Sequence, residues 1–310
     1  MITALAGGIG AAKFLTGLVK LVKEEELTVV VNTGDDIELY GLHISPDIDI
    51  VTYTFAGIVD ENKGWGIRGD TFRCLNAIKR LNGEAWFNLG DLDFATHMFR
   101  TALLKEGRGL SEVTALISKA LGLKVKILPM TDDRVETRIL TKEGLVHFEE
   151  YLVKNGARDE VLGVEFVGAN VAKPAVGVVE AILDSELVIV CPSNPIVSIG
   201  AILGVRGVRE ALKQASGRRV AVSPIVAGYP IKGPADKLLR GLGFEVSAFS
   251  VAKLYADFLD LFVIDVADAA EKEKIEDLGI EVKVANTVMR SLKDKILLAK
   301  VILENHPNTS

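Results

Sequence analysis

Gly7-Gly8-Ile9-Gly10-Ala11-Ala12-Lys13, close to the start of the chain, combines residue types that hold phosphate. Glycines at a strand-to-helix turn let backbone N–H groups approach an anion at the helix N-terminus, and a lysine one turn further in adds a cation. The spacing matches neither familiar fingerprint. Counted as G-x-G-x-x-G from Gly8, Lys13 stands where the third glycine belongs, and a Walker A lysine would not lie between Ala12 and Phe14. The alternative is a tight β-to-α turn with a surface lysine.

A second polar group, Asn32-Thr33-Gly34-Asp35-Asp36, follows an apolar run at 27–32. At the carboxyl end of a strand these residues could hold a ribose, a base or a divalent cation. Adjacent side chains point different ways, so Asp35 and Asp36 are not expected to share one role. An Asx turn is the plainer reading. A third group is the carboxylate set Asp47, Asp49, Asp60, Asp70, Asp91 and Asp93. Asp93, His97 and Arg100 follow at i, i+4 and i+7, so all three can share one helix face. They read either as a metal- and anion-handling edge or as capping plus an ordinary ion pair. The predicted metal seat is Asp36, Asp49 and Asp93. A fourth segment, Cys191-Pro192-Ser193-Asn194-Pro195 running on to Gly200, offers hydrogen-bonding groups in a proline-stiffened loop. Ser223-Pro224-Ile225 and Gly233-Pro234-Ala235 are weaker signals after a later strand. Trp65, among loop residues, could stack on a planar ligand or plug an apolar cluster. Zinc spacing is absent from His43, His97, His147 and His306, and no G-x-S-x-G elbow occurs.

Positioning these groups requires strands that end beside one another. Residues 2–6, turn 7–10, helix 11–23 and strand 27–32 read as a β-α-β unit. The helix places Phe14, Leu15, Leu18, Val19 and Val22 on one face. Residues 49–54 read as a further strand. Helices are expected at 71–81, 93–105 and 111–121, with Asp70, Asp91 and Ser111 as start signals. Strands at 124–128, 134–141 and 145–148 include a hairpin turning at 142–144. Strands at 187–191, 219–223, 261–266 and 281–285 then alternate with helices such as 174–183 and 234–242. The expected fold class is α/β: a doubly wound, mostly parallel Rossmann-like sheet with a helical insertion and a β-hairpin. The expected division is a core of 1–55 and 123–310 and a helical insertion at 56–122. The tail at 306–310 is expected to be disordered.

Composition sets the outer limits. The chain has 310 residues, of which 49% are hydrophobic and 25% charged, so general disorder is excluded. Its formal net charge of −6 disfavours a binder of nucleic acid polymers. Two cysteines cannot make a disulfide framework. The 29 glycines suit backbones that approach a ligand closely. Glycines and Lys13 interrupt the apolar N-terminal stretch, and no other run is long enough to span a bilayer, so no membrane association is expected and a cytoplasmic soluble protein is.

Taken together, GGIGAAK at 7–13, NTGDD at 32–36, SPDID at 45–49 and WGIRGDTF at 65–72 resemble the 2-phospho-L-lactate transferase family of deazaflavin coenzyme F-420 biosynthesis. LGDLDFATH at 89–97, LPMTDD at 128–133, PSNPIVSIG at 192–200 and VAVSPI at 220–225 extend the resemblance over almost the whole chain. It implies a donor in which guanosine diphosphate carries lactate or enolpyruvate, the deazaflavin Fo as acceptor, release of GMP, Mg2+ as cofactor and a homodimer. The insertion would cover the acceptor site. Nucleotide and phosphate contacts are implied at Gly8, Gly10, Lys13, Asn32, Asp35, Ser193 and Asn194. Contacts to Fo are expected at Asp49, Asn88 and Trp65, although the family often has a basic residue where Asn88 stands. As general base Asp49 is favoured over Asp91. The competing reading is a non-catalytic sugar-nucleotide-binding regulator of a related branch, which shares the glycine loop and NTGDD. A nicotinamide dehydrogenase is disfavoured by Lys13.

Overall fold

The structure is a computed structural model that describes residues 1–304; the tail expected to be disordered, 306–310, lies outside the described residues. The chain begins with β1 (Ile2–Ala6), α1 (Gly8–Leu18) and β2 (Leu27–Val31), then a hairpin of β3 (Ile37–Leu39) and β4 (Leu42–Ile44), and α2 (Pro46–Phe55). Helices α3 (Arg73–Arg80), α4 (Asp91–Lys105) and α5 (Leu110–Ala120) precede β5 (Lys126–Pro129). Strands β6 (Glu136–Thr141), β7 (Gly144–His147) and β8 (Gly163–Val167) form an antiparallel sheet of order β7-β6-β8. Next come α6 (Val178–Leu183), β9 (Leu187–Val190), α7 (Ile199–Gly204), α8 (Val208–Gln214) and β10 (Arg218–Val222). A short hairpin, β11 (Ile225–Val226) and β12 (Tyr229–Pro230), leads to α9 (Ala235–Gly241), α10 (Ala248–Tyr255) and β13 (Leu261–Asp265). Finally α11 (Lys272–Glu276), β14 (Glu281–Ala285) and α12 (Leu292–Leu303) complete the described chain.

The central sheet has the order β14-β13-β10-β9-β1-β2-β5 and every pairing in it is parallel. Its inner strands, such as LTVVV and LVIV, are buried along their whole length, as strands covered on both faces must be. Successive side chains feed two cores. Leu5, Val30, Val190 and Phe262 enter one, while Ala6, Val31, Ile189 and Val263 enter the other with Phe14 and Leu15 of α1. A Cβ on Gly17 would lie 2.3 Å from the Lys295 carbonyl, so glycine is what lets α1 and α12 approach. From β1 the chain winds outward through β2 to β5, then returns to β9 on the other side. The order reverses between β1 and β9, and that crevice is where open α/β sheets receive ligands.

Three expectations need correction. Residues 49–54 form no strand but lie in α2, seven of whose residues, Asp47 to Tyr53, are buried. A segment rich in β-branched residues and buried nearly all round, polar members included, has no clear period to distinguish helix from strand, and Pro46 with Asp47 and Asp49 supplies a helix start. The first helix runs Gly8–Leu18 rather than 11–23, taking in most of the expected turn at 7–10, and ends in a turn closed by Lys20 N to Gly17 O at 3.2 Å. The capping signals are exchanged between helices. Asp70 accepts from the backbone N–H of Leu92 at 2.9 Å and of Asp93 at 3.1 Å, so it serves α4. Asp91 accepts from the N–H of Cys74 at 2.9 Å and of Arg73 at 3.2 Å and from the Thr71 hydroxyl, so it serves α3. For α5 the role falls to Asp132, which accepts from Ser111 N–H at 2.6 Å. No helix among the described residues is long and apolar enough to cross a membrane.

Candidate active site

The loops after β1 and β9 meet at the reversal point. Gly7 N–H donates to Ser193 Oγ at 3.1 Å. A Cβ on Gly10 would fall 2.1 Å from the Pro192 carbonyl oxygen, so only glycine allows this approach. Asn194 Oδ1 is used within its own loop, accepting from Ile196 N–H at 3.0 Å and Val197 N–H at 3.3 Å. Above these loops opens a cavity of about 460 Å³. Lys13 faces it from α1, and Lys232 from the loop after β12.

A buried carboxylate group lies beside the glycine loop. Asn32 Nδ2 donates to Asp35 Oδ2 and to Asp47 Oδ2, each at 2.9 Å, while its Oδ1 accepts from Gly34 N–H at 2.8 Å. Asp47 Oδ2 would be 2.9 Å from a Cβ on Gly7. Burial drives Asp35 well above the usual carboxylate range, and the charge of Asp47 adds to the shift. Burial likewise pushes Asp47 up to about 7, against the bond from Asn32. Glu149, just beyond β7, also faces the cavity and is pushed up to about 8 by burial and then by Asp47. A bare carboxylate next to a phosphate loop would repel phosphate, so this group suits a site in which a proton or a cation intervenes.

The second acidic group is built on α2 and α4. Arg100, with no exposed surface, pairs with both oxygens of Asp49, one of them at 3.1 Å. Its Nη1 also lies 3.1 Å from His97 Nδ1. Arginine only donates, so Nδ1 accepts and the histidine proton resides on Nε2. That Nε2 is 3.6 Å from Asp93 Oδ1, beyond hydrogen-bond reach. Burial lowers His97 to about 4, which keeps it neutral. Asp93 accepts from the Tyr53 hydroxyl at 2.8 Å and is pushed up to about 7, by burial first and the Asp49 charge second. The i, i+4, i+7 reading of Asp93, His97 and Arg100 therefore describes a real cluster, closed by a residue of another helix.

Gly8, Gly10, Lys13, Asp35, Asp49, Trp65, Asn88, Asp93, Ser193 and Asn194 all line the cavity. Asn32 is fully buried behind it and positions Asp35 and Asp47. Trp65 lines the cavity and packs edge-on to Phe72 with ring centroids 6.4 Å apart. Asp91 is not in the lining; its carboxylate is occupied by the start of α3. The expected metal seat does not assemble. Asp36 turns to His43 Nε2 at 2.9 Å and Ser45 Oγ at 2.8 Å, Asp49 is held by Arg100, and Asp93 by Tyr53. Among the described residues no three His, Cys, Asp or Glu side chains form a metal-holding group. Asp35 and Asp47 would suffice for magnesium, which is commonly held by one or two carboxylates with phosphate and water completing its shell. Glu149 and Lys232 escaped the sequence reading; neither belongs to a spaced motif, and only the fold brings them to the cavity.

Fold and crevice together define a Rossmann-like α/β protein with its ligand cavity at the reversal point of the sheet. The family model described as 2-phospho-L-lactate transferase CofD matches residues 2–302. The chain is 44% identical over 308 residues to the 2-phospho-L-lactate transferase of Methanocaldococcus jannaschii, covering 98% of this chain and 97% of that one. It is 42% identical over 309 residues to the phosphoenolpyruvate transferase of Streptomyces griseus, covering 98% and 97%. The chain belongs to the 2-phospho-L-lactate transferase CofD family and is an enzyme of that transferase type. A crystal structure of a upf0052 family member from Bacillus halodurans shares the fold, with a TM-score of 0.66, 16% identity, and coverage of 97% of this chain and 98% of that one.

Proposed function

We propose that the enzyme moves a phospholactyl or phosphoenolpyruvyl group from a GDP-linked donor to the terminal ribityl hydroxyl of the deazaflavin Fo, in coenzyme F-420 biosynthesis. The hydroxyl oxygen forms a bond to the phosphorus bearing the three-carbon acid. The bond from that phosphorus to the bridging oxygen breaks, GMP leaves with the electron pair, and the hydroxyl proton passes to a base. The observation that carries this reading is a single cavity that combines a glycine loop, two lysines and a set of carboxylates raised toward neutrality. Phosphoryl transfer asks for positioning and charge neutralisation rather than a covalent catalyst. Trp65, Phe87, Leu89, Phe148 and Leu152 supply apolar wall for a flat heterocycle.

As base we favour Asp93. Both oxygens of Asp49 are already engaged by Arg100, whereas Asp93, raised to about 7 by burial, matches the task of a general base. Asp49 keeps its place as a candidate Fo contact beside Asn88. Asp35 and Asp47 would hold Mg2+, which when bound would neutralise charge on the diphosphate. Trp65, Asn88 and Asp93, all within 56–122, line the cavity, which supports reading 56–122 as an insertion over the acceptor side of a core formed by 1–55 and 123–310. A homodimer belongs to the same proposal and is read by light scattering. The test of the reaction supplies Fo, Mg2+ and the guanylylated donor and follows GMP and the charged deazaflavin. A binding screen with GDP, a uridine nucleotide-sugar, NAD and Fo accompanies it. Preference for the uridine nucleotide-sugar with no Fo affinity would replace the transferase by the regulator reading.

A further inference from the structure

Lys232 stands out among the cations of the molecule. It lies in the loop between β12 and α9, at the rim of the cavity, with Gly233, Pro234 and Ala235 beside it in the lining. A Cβ placed on Gly64 would be 3.2 Å from Lys232 Nζ and 3.5 Å from Ile9 Cγ2, so the ammonium and the side chain of a glycine-segment residue face the same point. Partial burial and then the charge of Lys13 lower its proton affinity. Neither lysine has a hydrogen-bond or ion-pair partner among the described residues. Most rim lysines relieve such strain by swinging to a carboxylate or to bulk water. Here both lysines line one cavity, close enough for the charge of Lys13 to act on Lys232, and neither is spent on a carboxylate. Like charges held together without a counter-ion are stabilised by an anion that can engage both at once.

We infer that Lys232 is a second phosphate-binding residue, forming with Lys13 a two-lysine clamp on the diphosphate of the donor. An ammonium on a flexible stem suits this task, because it follows a phosphate as a point charge without demanding a fixed fork geometry. The clamp deepens the proposed transferase reading and rests on it for the identity of the donor, but not for the chemistry of the anion.

The test measures binding of GDP, inorganic pyrophosphate and Fo by calorimetry to the full-length parent and to K232M and K232R. Lys232 is exposed, so K232M is expected to fold, which a thermal melt verifies. K232M should weaken GDP and pyrophosphate by about tenfold or more, on the scale of one lost charge-assisted contact. Binding of Fo should stay within about twofold, and K232R should restore most of the loss because it restores the charge. If K232M binds pyrophosphate and GDP within about twofold of the parent, Lys232 is an ordinary surface lysine and the clamp is refuted. If the parent ignores GDP yet binds pyrophosphate in a K232M-sensitive way, the clamp stands and the guanosine-linked donor falls. If the parent binds neither, both fall together.

Discussion

Replacing Asp93 by Asn separates its proposed chemical role from its structural one. Asp93 is 6% exposed, and its carboxyl is raised from 3.8 to about 7. Between those values the folded state keeps a proton that the unfolded chain has lost, so stability falls as pH rises through the window. A shift of about 3 units corresponds to at most ~4 kcal/mol, or ~1.4 kcal/mol for each pH unit. An amide has no charge to desolvate and its oxygen still accepts from Tyr53. Relative to the parent, Asp93→Asn should therefore gain stability steadily from about pH 4 to about pH 7 and level off above it. His97, lowered to about 4, gives both proteins an opposing trend below its unfolded value of 6.5, and this cancels in the difference. Urea unfolding of both proteins across this range, without ligand, measures the effect. Turnover under saturating donor and Fo should fall by roughly 10² or more, the scale of a lost general base, and the parent's rise in kcat with an apparent value near 7 should vanish. A stability difference that is the same at about pH 5 and about pH 8 would refute the burial argument. Unchanged turnover would remove Asp93 from the reaction.

Three further outcomes follow from the geometry. Gly10→Ala drives a methyl into the Pro192 carbonyl and should destabilise by about 1–3 kcal/mol while abolishing measurable GDP binding, read by thermal melt and calorimetry. Arg100→Met strands the buried Asp49 carboxylate and should remove about 3–5 kcal/mol of stability near neutral pH, with the Arg100→Met/Asp49→Leu double variant recovering much of it. Asp91→Ala should lower the melting temperature by loosening the start of α3 yet leave the Kd of GDP within about twofold.

What the sequence disclosed and what it concealed divide along one physical line. The strands at 2–6, 27–31, 187–190 and 261–265 were legible because burial on both faces of a parallel sheet leaves a nearly continuous apolar run. The glycine loop was legible because a close backbone approach tolerates no side chain, whatever the rest of the fold does. Both are local requirements, written into neighbouring residues. The same burial rule misled at α2, where a buried segment rich in Ile, Val and Thr proved to be a helix. Five strands were overlooked, β3, β4, β8, β11 and β12. β3 and β4 have three residues each, β11 and β12 two each, and β8 (GVEFV) is half exposed, so none shows a long apolar run.

Charge, by contrast, takes its meaning from distant partners. Asp70 and Asp91 were each correctly read as capping residues, but each caps the helix that the other precedes, since their segments lie side by side. Asp49 looked like a metal ligand until Arg100 claimed both of its oxygens. Asp47, merely one member of an acidic series in the sequence, becomes a group near neutrality because burial raises its carboxyl more than the bond from Asn32 lowers it. Its placement also gives the acidic site its logic: carboxylates that are costly to ionise without a counter-ion are poised to respond when a cation and a phosphate arrive together. Lys13 and Lys232 impose the matching requirement from the other sign, since two unpaired ammonium groups are poised for an anion. A diphosphate accompanied by a divalent ion satisfies both at once, which neither the anion nor the cation alone can do.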